Sequence, residues 1–248
     1  MVHPGGMYRE RPARFGGGAV VWSSRGDADS SGRVLPDGCM DLIWSAGRLS
    51  VAGPDTRAHV FTVVHGQEVT GLRFAPGAAP AVLGVPADEL TDRRVPLDVL
   101  WNGARVRELS ERLAAAPGGA GAVLEAIAEG RLRRAADPGG AWRPAVLAAL
   151  RSGRGVAETA ERLGLSERQL RRRSLSAFGY GPKTLARVLR MQRALDLARN
   201  GTPLAATAVL AGYADQAHLA REVKGLAGAP LSALVAGRVG DTSGQFPG

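Results

Sequence analysis

The sequence is poor in residue types that would open particular classes of fold or site. Cys39 is the only cysteine among 248 residues, so an intramolecular disulfide and a zinc site built from cysteines are excluded. No apolar run reaches the roughly 20 residues that a transmembrane helix requires. Residues 1–18 are glycine-rich and lack the apolar segment of a signal peptide, so we expect a cytoplasmic protein that does not enter a membrane.

Lysine is nearly absent, and the excess of basic charge lies at one end of the chain. Lysine and arginine total 32 against 23 acidic residues, and only two of the 32 are lysines. Residues 1–140 contain 16 basic and 16 acidic residues, whereas residues 141–248 contain 16 and 7, which accounts for the whole net charge of +9. This asymmetry predicts two domains, the second of which binds a polyanion. Arginine favours bidentate contacts with phosphate or guanine, although codon usage in a GC-rich genome gives the same bias.

The pattern of apolar residues changes from β-like to helical along the chain. Residues 19–75 contain short apolar or β-branched runs separated by glycine, proline, aspartate and serine, which predicts an antiparallel sheet of five or six strands. Helical patterns follow at 104–116 and 123–132, and Asp137-Pro138-Gly139-Gly140 predicts a linker. From residue 142 to about 236 the pattern is helical with short connections, which is typical of a compact all-α domain.

A helix-turn-helix pattern occupies residues 156–170. Gly164 lies where a first helix would end in a left-handed residue, and Ser166 is placed to cap a second helix. Gln169, three residues later, completes a capping box. The second helix of such a unit enters the DNA major groove, and its exposed positions here include Arg168, Arg171 and Arg172.

The same pattern returns at residues 204–224, with Gly212 at the turn and Asp215 as the helix cap. Between the two units, residues 183–199 form a predicted helix of 17 residues, which is about 25 Å long. A helix of that length could hold two recognition helices about one DNA turn, roughly 34 Å, apart. One chain would then read two successive segments of the major groove.

Residues 150–236 resemble the DNA-binding domain of the AraC/XylS family of transcription regulators. The motifs that carry the resemblance are Leu165-Ser166-x-Arg168-x-Leu170-x-Arg172, Phe178-Gly179-Tyr180-Gly181-Pro182 and Gly212-Tyr213-x-Asp215-Gln216-x-His218-Leu219. The family's two recognition helices correspond to positions around 167–176 and 215–225 of this chain. The sequence departs from the family at Ser174, where an aromatic residue is usual, which puts the rigidity of the first unit in doubt.

The resemblance implies particular contacts and partners. We expect double-stranded DNA and RNA polymerase as partners, with a homodimer as a further state to test. The residues expected to contact DNA are Arg168, Arg171, Arg172, Gln216, Ala217, His218, Arg221 and Lys224, with Ser166, Arg173, Lys183 and Arg190 on the phosphate backbone.

Residues 8–115 resemble an uncharacterised domain that a subset of AraC-type regulators carries. In this superfamily the N-terminal half senses a ligand or dimerises, often on a cupin-like barrel, with which the strand count is compatible. The resulting fold class is a β-rich α+β domain followed by an all-α domain of two helix-turn-helix units joined by a long helix. The domain boundaries are a flexible arm at 1–18, a sensor or dimerisation domain at 19–136, a linker at 137–141, the DNA-binding domain at 142–236 and a disordered tail at 237–248.

Four residues of the N-terminal half are candidates for a pocket that binds a small-molecule effector: Asp41, Trp44, Arg73 and Phe74. An inward-pointing Arg73 would bind an anionic ligand. His59 and His65 are not spaced as metal ligands, and we expect neither a metal nor a cofactor.

Three functions remain open at this point. The first is a sequence-specific transcription regulator, and no motif of an enzyme competes with it. The second is a regulator that responds to thiol modification or alkylation through Cys39, although neighbouring carboxylates would raise the pKa of this thiol. The third is an architectural DNA binder with little base preference.

Overall fold

Alternation of side chains along the N-terminal strands gives the main sheet two different faces. The computed structural model describes residues 6–135 and 140–236. Its six-stranded antiparallel sheet has the order β1-β2-β7-β4-β5-β8, and β3 pairs with β6 in a separate two-stranded ribbon. The strands are β1 Gly6–Pro12, β2 Val20–Gly26, β3 Ser30–Val34, β4 Met40–Ser45, β5 Arg48–Ala52, β6 His59–Val63, β7 Glu68–Phe74 and β8 Arg94–Pro96.

One face of the sheet forms the N-terminal core. Met40, Leu42 and Trp44 of β4 point to this face together with Leu72 and Phe74 of β7. The helices α1 Ala79–Leu83, α2 Gly103–Ala114 and α3 Ala120–Leu132 cover it, and Val82, Leu109 and Leu124 complete the apolar cluster. The opposite face carries Asp41, Ile43, Ser45 and Arg73, because side chains alternate with a period of two residues.

The interpretation of residues 1–18 as a flexible arm is wrong for residues 6–12. Gly6–Pro12 forms strand β1, which pairs with β2 so that Glu10 lies opposite Trp22. Tyr8 is buried and stacks on Trp22 with the ring centroids 6.2 Å apart. A polar edge strand shows little apolar alternation, so its sequence gave no signal.

The second part of the chain is all-helical, as predicted. Its helices are α4 Trp142–Arg151, α5 Val156–Arg162, α6 Glu167–Phe178, α7 Pro182–Arg199, α8 Leu204–Ala211, α9 Gln216–Ala227 and α10 Leu231–Ala236. The fold class is therefore confirmed. Most of the linker predicted at 137–141 and all of the tail predicted at 237–248 lie outside the described residues. None of the helices within the described ranges is long and apolar enough to cross a membrane.

The long helix α7 belongs to both helix-turn-helix units. Its Leu185 and Leu189 lie in the apolar cluster of the first unit, together with α4, α5 and α6. Its Met191 and Leu195 lie in the cluster of the second unit, together with α8, α9 and α10. Because one continuous helix contributes to both cores, the two units share a common support.

Candidate nucleic-acid interface and the N-terminal cavity

The first helix-turn-helix unit consists of α5 and α6. Gly164 has φ +63° at the turn, a conformation that glycine adopts without steric penalty. Ser166 caps α6: its side chain accepts a hydrogen bond from Gln169 N at 3.2 Å, and Gln169 Oε1 accepts one from Ser166 N at 2.8 Å. Leu170 and Phe178 anchor the helix in the core. The remaining face presents Arg168, Arg171, Arg172 and Arg173, all exposed.

Ser166 was expected both to cap α6 and to contact a DNA phosphate, and the structure shows the first of these functions. Its hydroxyl accepts from Gln169 N and lies 3.1 Å from Gln169 Oε1. A phosphate contact by the same hydroxyl would compete with the capping box. The structure therefore places Ser166 at the helix cap, where it orients α6.

The second unit consists of α8 and α9 and follows the same construction. Gly212 has φ +84° at the turn, and the Asp215 carboxylate accepts a hydrogen bond from His218 N at 2.6 Å. Leu219 and Val223 are buried beneath α9. On its outer face Gln216, Ala217, Arg221 and Lys224 are exposed.

His218 differs from its neighbours because its ring is held by the turn. The ring is half-buried and lies edge-on to Tyr213, with the centroids 5.3 Å apart. Its Nδ1 accepts a hydrogen bond from Ala214 N at 3.3 Å. In the neutral ring the proton then lies on Nε2, so the ring carries a hydrogen-bond donor at that nitrogen.

Arg190, expected on the phosphate backbone, is instead placed between α7 and α9. Its guanidinium lies 4.8 Å from the centre of the Tyr213 ring, and its Nη2 donates to Glu222 Oε2 at 2.8 Å. Arg187 Nε donates to the other oxygen of Glu222, also at 2.8 Å. We call this arrangement of Arg187, Arg190 and Glu222 the brace. It holds α9 on α7 and engages the guanidinium group of Arg190. Lys183, at the start of α7, is exposed and stays available for a phosphate contact.

Ser174 places a polar side chain in the core of the first unit. It is fully buried in α6, and its hydroxyl has no hydrogen-bond partner among the described residues. Phe178, one turn later, lies edge-on to Trp142 with the ring centroids 5.7 Å apart. Phe178 therefore supplies the aromatic packing of α6, whereas Ser174 adds an unsatisfied polar group.

A cavity of about 280 Å³ lies between the main sheet and the ribbon of β3 and β6. Of the four residues expected to line an effector pocket, Asp41 and Arg73 face it. Trp44 and Phe74 do not, because they occupy the alternate positions of β4 and β7 and pack in the N-terminal core. Two of the four expected residues therefore line this cavity, and the other two lie on the opposite face of the sheet.

The polar end of the cavity is a cluster of buried charges. Arg73 is 2% exposed, and its Nε lies 3.4 Å from Asp41 Oδ1 and 3.9 Å from Asp37 Oδ2. Trp22 Nε1 donates to the same Asp41 oxygen at 2.6 Å. Burial acts to lower the pKa of Arg73, but Asp41 and Asp37 outweigh it and raise this pKa. Burial raises the pKa of Asp37, against the effect of Arg73.

Cys39 is buried beside this cluster, where it is a poor nucleophile. Burial raises the pKa of its thiol well above the ordinary value, and the nearby Asp37 adds to this shift. A thiol reacts through its thiolate, so this position disfavours sensing by Cys39. Within the described residues, no group of three or more His, Cys, Asp or Glu is arranged to hold a metal ion.

Sequence reasoning missed further residues of the cavity. Asp37 belongs to the charged cluster, and Asp55 forms a bidentate ion pair with Arg94 at 2.6 and 2.7 Å. The sequence signal for a polar cavity lining was in β4, where Asp41 lies between the buried apolar residues Met40 and Leu42.

Two family models match parts of the chain. Residues 159–236 match a helix-turn-helix domain, and residues 19–96 match a domain of unknown function (DUF6597). No curated protein sequence matches significantly.

Solved structures of ToxT are similar to this chain in overall form. ToxT from Vibrio cholerae O395 is similar over 92% of this chain and 97% of that chain, with 9% identity and a TM-score of 0.49. Wild-type ToxT of Vibrio cholerae strain SCE256 with bound unsaturated fatty acid is similar over 95% of this chain and 96% of that chain, with 9% identity and a TM-score of 0.47.

The family matches agree with the two capped units described above. They fall on the segments in which the motifs predicted a DNA-binding domain and an uncharacterised N-terminal domain. The chain carries an AraC-type helix-turn-helix domain, which is the DNA-binding domain of transcription regulators, behind an N-terminal domain of unknown function.

Proposed function

We propose that the protein is a sequence-specific transcription regulator that places α6 and α9 in two successive segments of the DNA major groove. Arg168, Arg171 and Arg172 of α6 read bases in one segment. The residues of α9 that read the other segment are Gln216, Ala217, His218 and Arg221. Arg173, Lys183 and Lys224 contact phosphates and fix the position of the domain along the duplex.

The observation that carries this proposal is that one helix supports two capped recognition helices. α7 contains 18 residues, about 27 Å at 1.5 Å per residue, and contributes side chains to both cores. The length is comparable to the roughly 34 Å between equivalent positions of successive major-groove segments. The brace from Arg187 and Arg190 to Glu222 supports α9 on this helix.

The N-terminal domain is the controlling part in this proposal. Its cavity of about 280 Å³ is suited to a small-molecule effector, and the alternative route of control is dimerisation through the same domain. RNA polymerase is the partner through which DNA occupancy would change transcription.

The test is selection of random duplex DNA by the full-length protein. We expect an enriched site with two boxes whose centres lie about one helical turn, roughly 10 base pairs, apart. Repeating the selection with Arg172→Ala and with Arg221→Ala should relax one box each. Arg162→Ala, which changes an exposed arginine of α5, is the matched control and should leave both boxes intact.

Two outcomes would overturn the proposal. Salt-sensitive binding without an enriched site would leave an architectural DNA binder in its place. A site with one box, unaffected by substitutions in the other helix, would contradict double reading by one chain.

A further inference from the structure

The N-terminal domain contacts the two helix-turn-helix units in different ways. The buried apolar cluster of the first unit is built from residues 146–189, so its core lies within the helical domain. This unit contacts the N-terminal domain at the end of α6, where Gly179 O accepts a hydrogen bond from Thr91 Oγ1 at 2.8 Å. The cluster of the second unit contains Leu35, which comes from the N-terminal domain and is 2% exposed. The second unit therefore uses a core side chain that the first part of the chain supplies.

Leu35 and the residue after it connect the N-terminal domain to α7 and to the core beneath α9. Leu35 belongs to the same buried cluster as Leu195 of α7 and Leu226 of α9. Pro36 O accepts a hydrogen bond from Gln192 Nε2 of α7 at 2.6 Å. Truncation of a fully buried leucine leaves a cavity that its neighbours fill only in part. The packing of the second unit thus depends on a segment outside the helical domain.

The C-terminal end of α9 receives two hydrogen bonds from the N-terminal domain. The last four carbonyl groups of an α-helix have no partner within the helix. Here Ala58 N donates to Leu226 O at 2.7 Å, and Arg33 Nη1 donates to Ala227 O at 2.5 Å. A charged donor at this end is also favoured by the helix dipole. We call the residues that hold the second unit from the N-terminal domain the ribbon contact: Arg33, Leu35, Pro36 and Ala58.

The second recognition helix is therefore held at two places along its length. The brace holds it at Glu222, through hydrogen bonds from α7. The ribbon contact holds it at Ala227, which lies five positions later, about 7.5 Å along the axis at 1.5 Å per residue. Two attachments fix the direction of a helix as well as its position. Loss of the ribbon contact would leave α9 free to tilt about the brace.

The ribbon itself is stabilised by the same contact. β3 and β6 pair with each other in a sheet that is separate from the main sheet. A two-stranded sheet alone is marginally stable at best, so packing on the second unit supports it. On its other side the ribbon lines the cavity with Val34, His59 and Phe61. The strands that hold α9 are thus also a wall of the cavity.

We propose that the ribbon contact sets the placement of α9, so that the N-terminal domain controls reading of the second DNA segment more than reading of the first. Arg33, Leu35 and Ala58 are positioning residues that act through α9. Hydrogen bonds that read a base weaken steeply when their distance and angle change, so a helix that can tilt discriminates less between bases. This inference rests on the proposed double reading and names the part of the chain that controls one of the two readers.

The test is base discrimination by the full-length protein at each box of the selected site, with the α9 box identified by the Arg221→Ala selection. Leu35→Ala should reduce the affinity ratio between the selected operator and one altered in the α9 box by about tenfold, or about 1.4 kcal/mol. The ratio at the α6 box should stay unchanged. A ratio of affinities does not depend on the fraction of protein that is folded, so a loss of stability alone does not move it. Leu49→Ala, which truncates a leucine of the N-terminal core that is 3% exposed, is the matched control and should leave both ratios unchanged.

A second variant keeps the test valid if Leu35→Ala fails to fold. Arg33→Met retains an unbranched side chain but removes the donor to Ala227 O. We expect reduced discrimination at the α9 box again, by a smaller factor because the core stays filled. Arg48→Met, which changes an exposed arginine at the start of β5, is the control and should leave both boxes unchanged.

The support of α9 is also measured without DNA, by hydrogen exchange of the full-length protein. Leu35→Ala and Arg33→Met should each increase exchange in residues 216–228. Exchange in residues 167–178 should stay close to that of the wild type, because the core of the first unit lies within the helical domain.

Four results would overturn the proposal. They are equal loss of discrimination at both boxes, unchanged discrimination at the α9 box in both variants, the same loss on Leu49→Ala, and exchange that rises as much in α6 as in α9. Absence of a site with two boxes would instead contradict the double reading, and the exchange comparison would still test whether the ribbon contact supports α9.

Discussion

The two helix-turn-helix units share one construction but present different chemistry to DNA. α6 exposes four arginines, whereas α9 exposes Gln216, Ala217, Arg221 and Lys224 beside a ring of His218 that its own turn holds. The first unit contains a buried hydroxyl without a partner at Ser174. The second is braced by a carboxylate at Glu222 that two arginines share.

Under the proposed function, the two helices contribute to DNA recognition in different ways. An arginine-rich helix gains affinity from charge as well as from guanine contacts, so its binding responds strongly to salt. A helix such as α9, with amide, imidazole and methyl groups, gains less affinity for DNA from charge. Its binding depends more on the exact position of the helix in the groove. The brace and the contacts from the N-terminal domain supply that placement for α9.

The largest expected effect comes from removing a reader of α6. Arg172→Ala should cost about 1–3 kcal/mol at one operator position and leave other positions unchanged, since a bidentate guanine contact is lost. The measurement is a set of binding isotherms on operators with single base changes, with Arg162→Ala as control. Equal weakening on every sequence, with a smaller salt slope, would make Arg172 a phosphate contact instead.

Loss of the brace of the second unit should have an effect of about the same size, here on stability. Glu222→Gln removes the charge shared by Arg187 and Arg190 and should lower the free energy of unfolding by about 2 kcal/mol, because hydrogen bonds to charged groups are the stronger kind. Denaturant unfolding measures this loss. Glu161→Gln, an exposed acid of α5, is the control and should change little.

The same brace predicts a dependence on pH. Burial acts to raise the pKa of Glu222, but hydrogen bonds from Arg190 and Arg187 outweigh it and lower the pKa below the ordinary value. The stabilisation is therefore fully present above the ordinary glutamate pKa of about 4.3 and is lost as the pH falls through the lowered value. Denaturant unfolding of wild type and Glu222→Gln should converge on acidification, and a constant difference between them would contradict the brace.

The helix caps allow a comparison of matched changes. Ser166→Ala in the first unit and Asp215→Ala in the second should each cost about 1 kcal/mol of stability, because each side chain accepts a backbone N–H at the start of its recognition helix. Thermal unfolding and operator binding should fall together. Stability that drops without any change in DNA affinity would show that the caps do not orient the readers.

The smallest expected effect is a gain in the free energy of unfolding. Ser174→Ala removes a buried hydroxyl that has no partner in the described structure and should raise the free energy of unfolding by up to about 1 kcal/mol. Denaturant unfolding detects the shift, and Ser176→Ala at an exposed position of the same helix controls for helix propensity. A loss of stability on Ser174→Ala would mean that the hydroxyl is satisfied by water in solution.

Local patterns were sufficient to predict the helical domain. Capping residues, turn glycines and the spacing of apolar residues act within one or two helical turns, so both helix-turn-helix units and the helix between them were predicted. Strand β1 was missed, because a polar strand at an edge is stabilised by a partner distant in sequence.

The residues of the candidate site also differ in whether a local pattern or only tertiary packing reveals their environment. The exposure of Arg168, Arg171 and Arg172 on α6 could be predicted from helical periodicity, because exposure on a capped amphipathic helix is a local property. Arg190 could not, since only its packing on Tyr213 and its bond to Glu222 distinguish it from an arginine that contacts phosphate.

The sequence by itself determined the two capped units, the helix between them and the concentration of positive charge in the second domain. Composition and short-range hydrogen bonding are sufficient for those features. The tertiary structure alone decided which face of β4 and β7 turned toward the cavity and that Asp37 shares Arg73 with Asp41. It alone also packed the ribbon of β3 and β6 against the end of α9 and Thr91 against the end of α6. These features depend on strand register and on packing between distant segments, which no local pattern encodes.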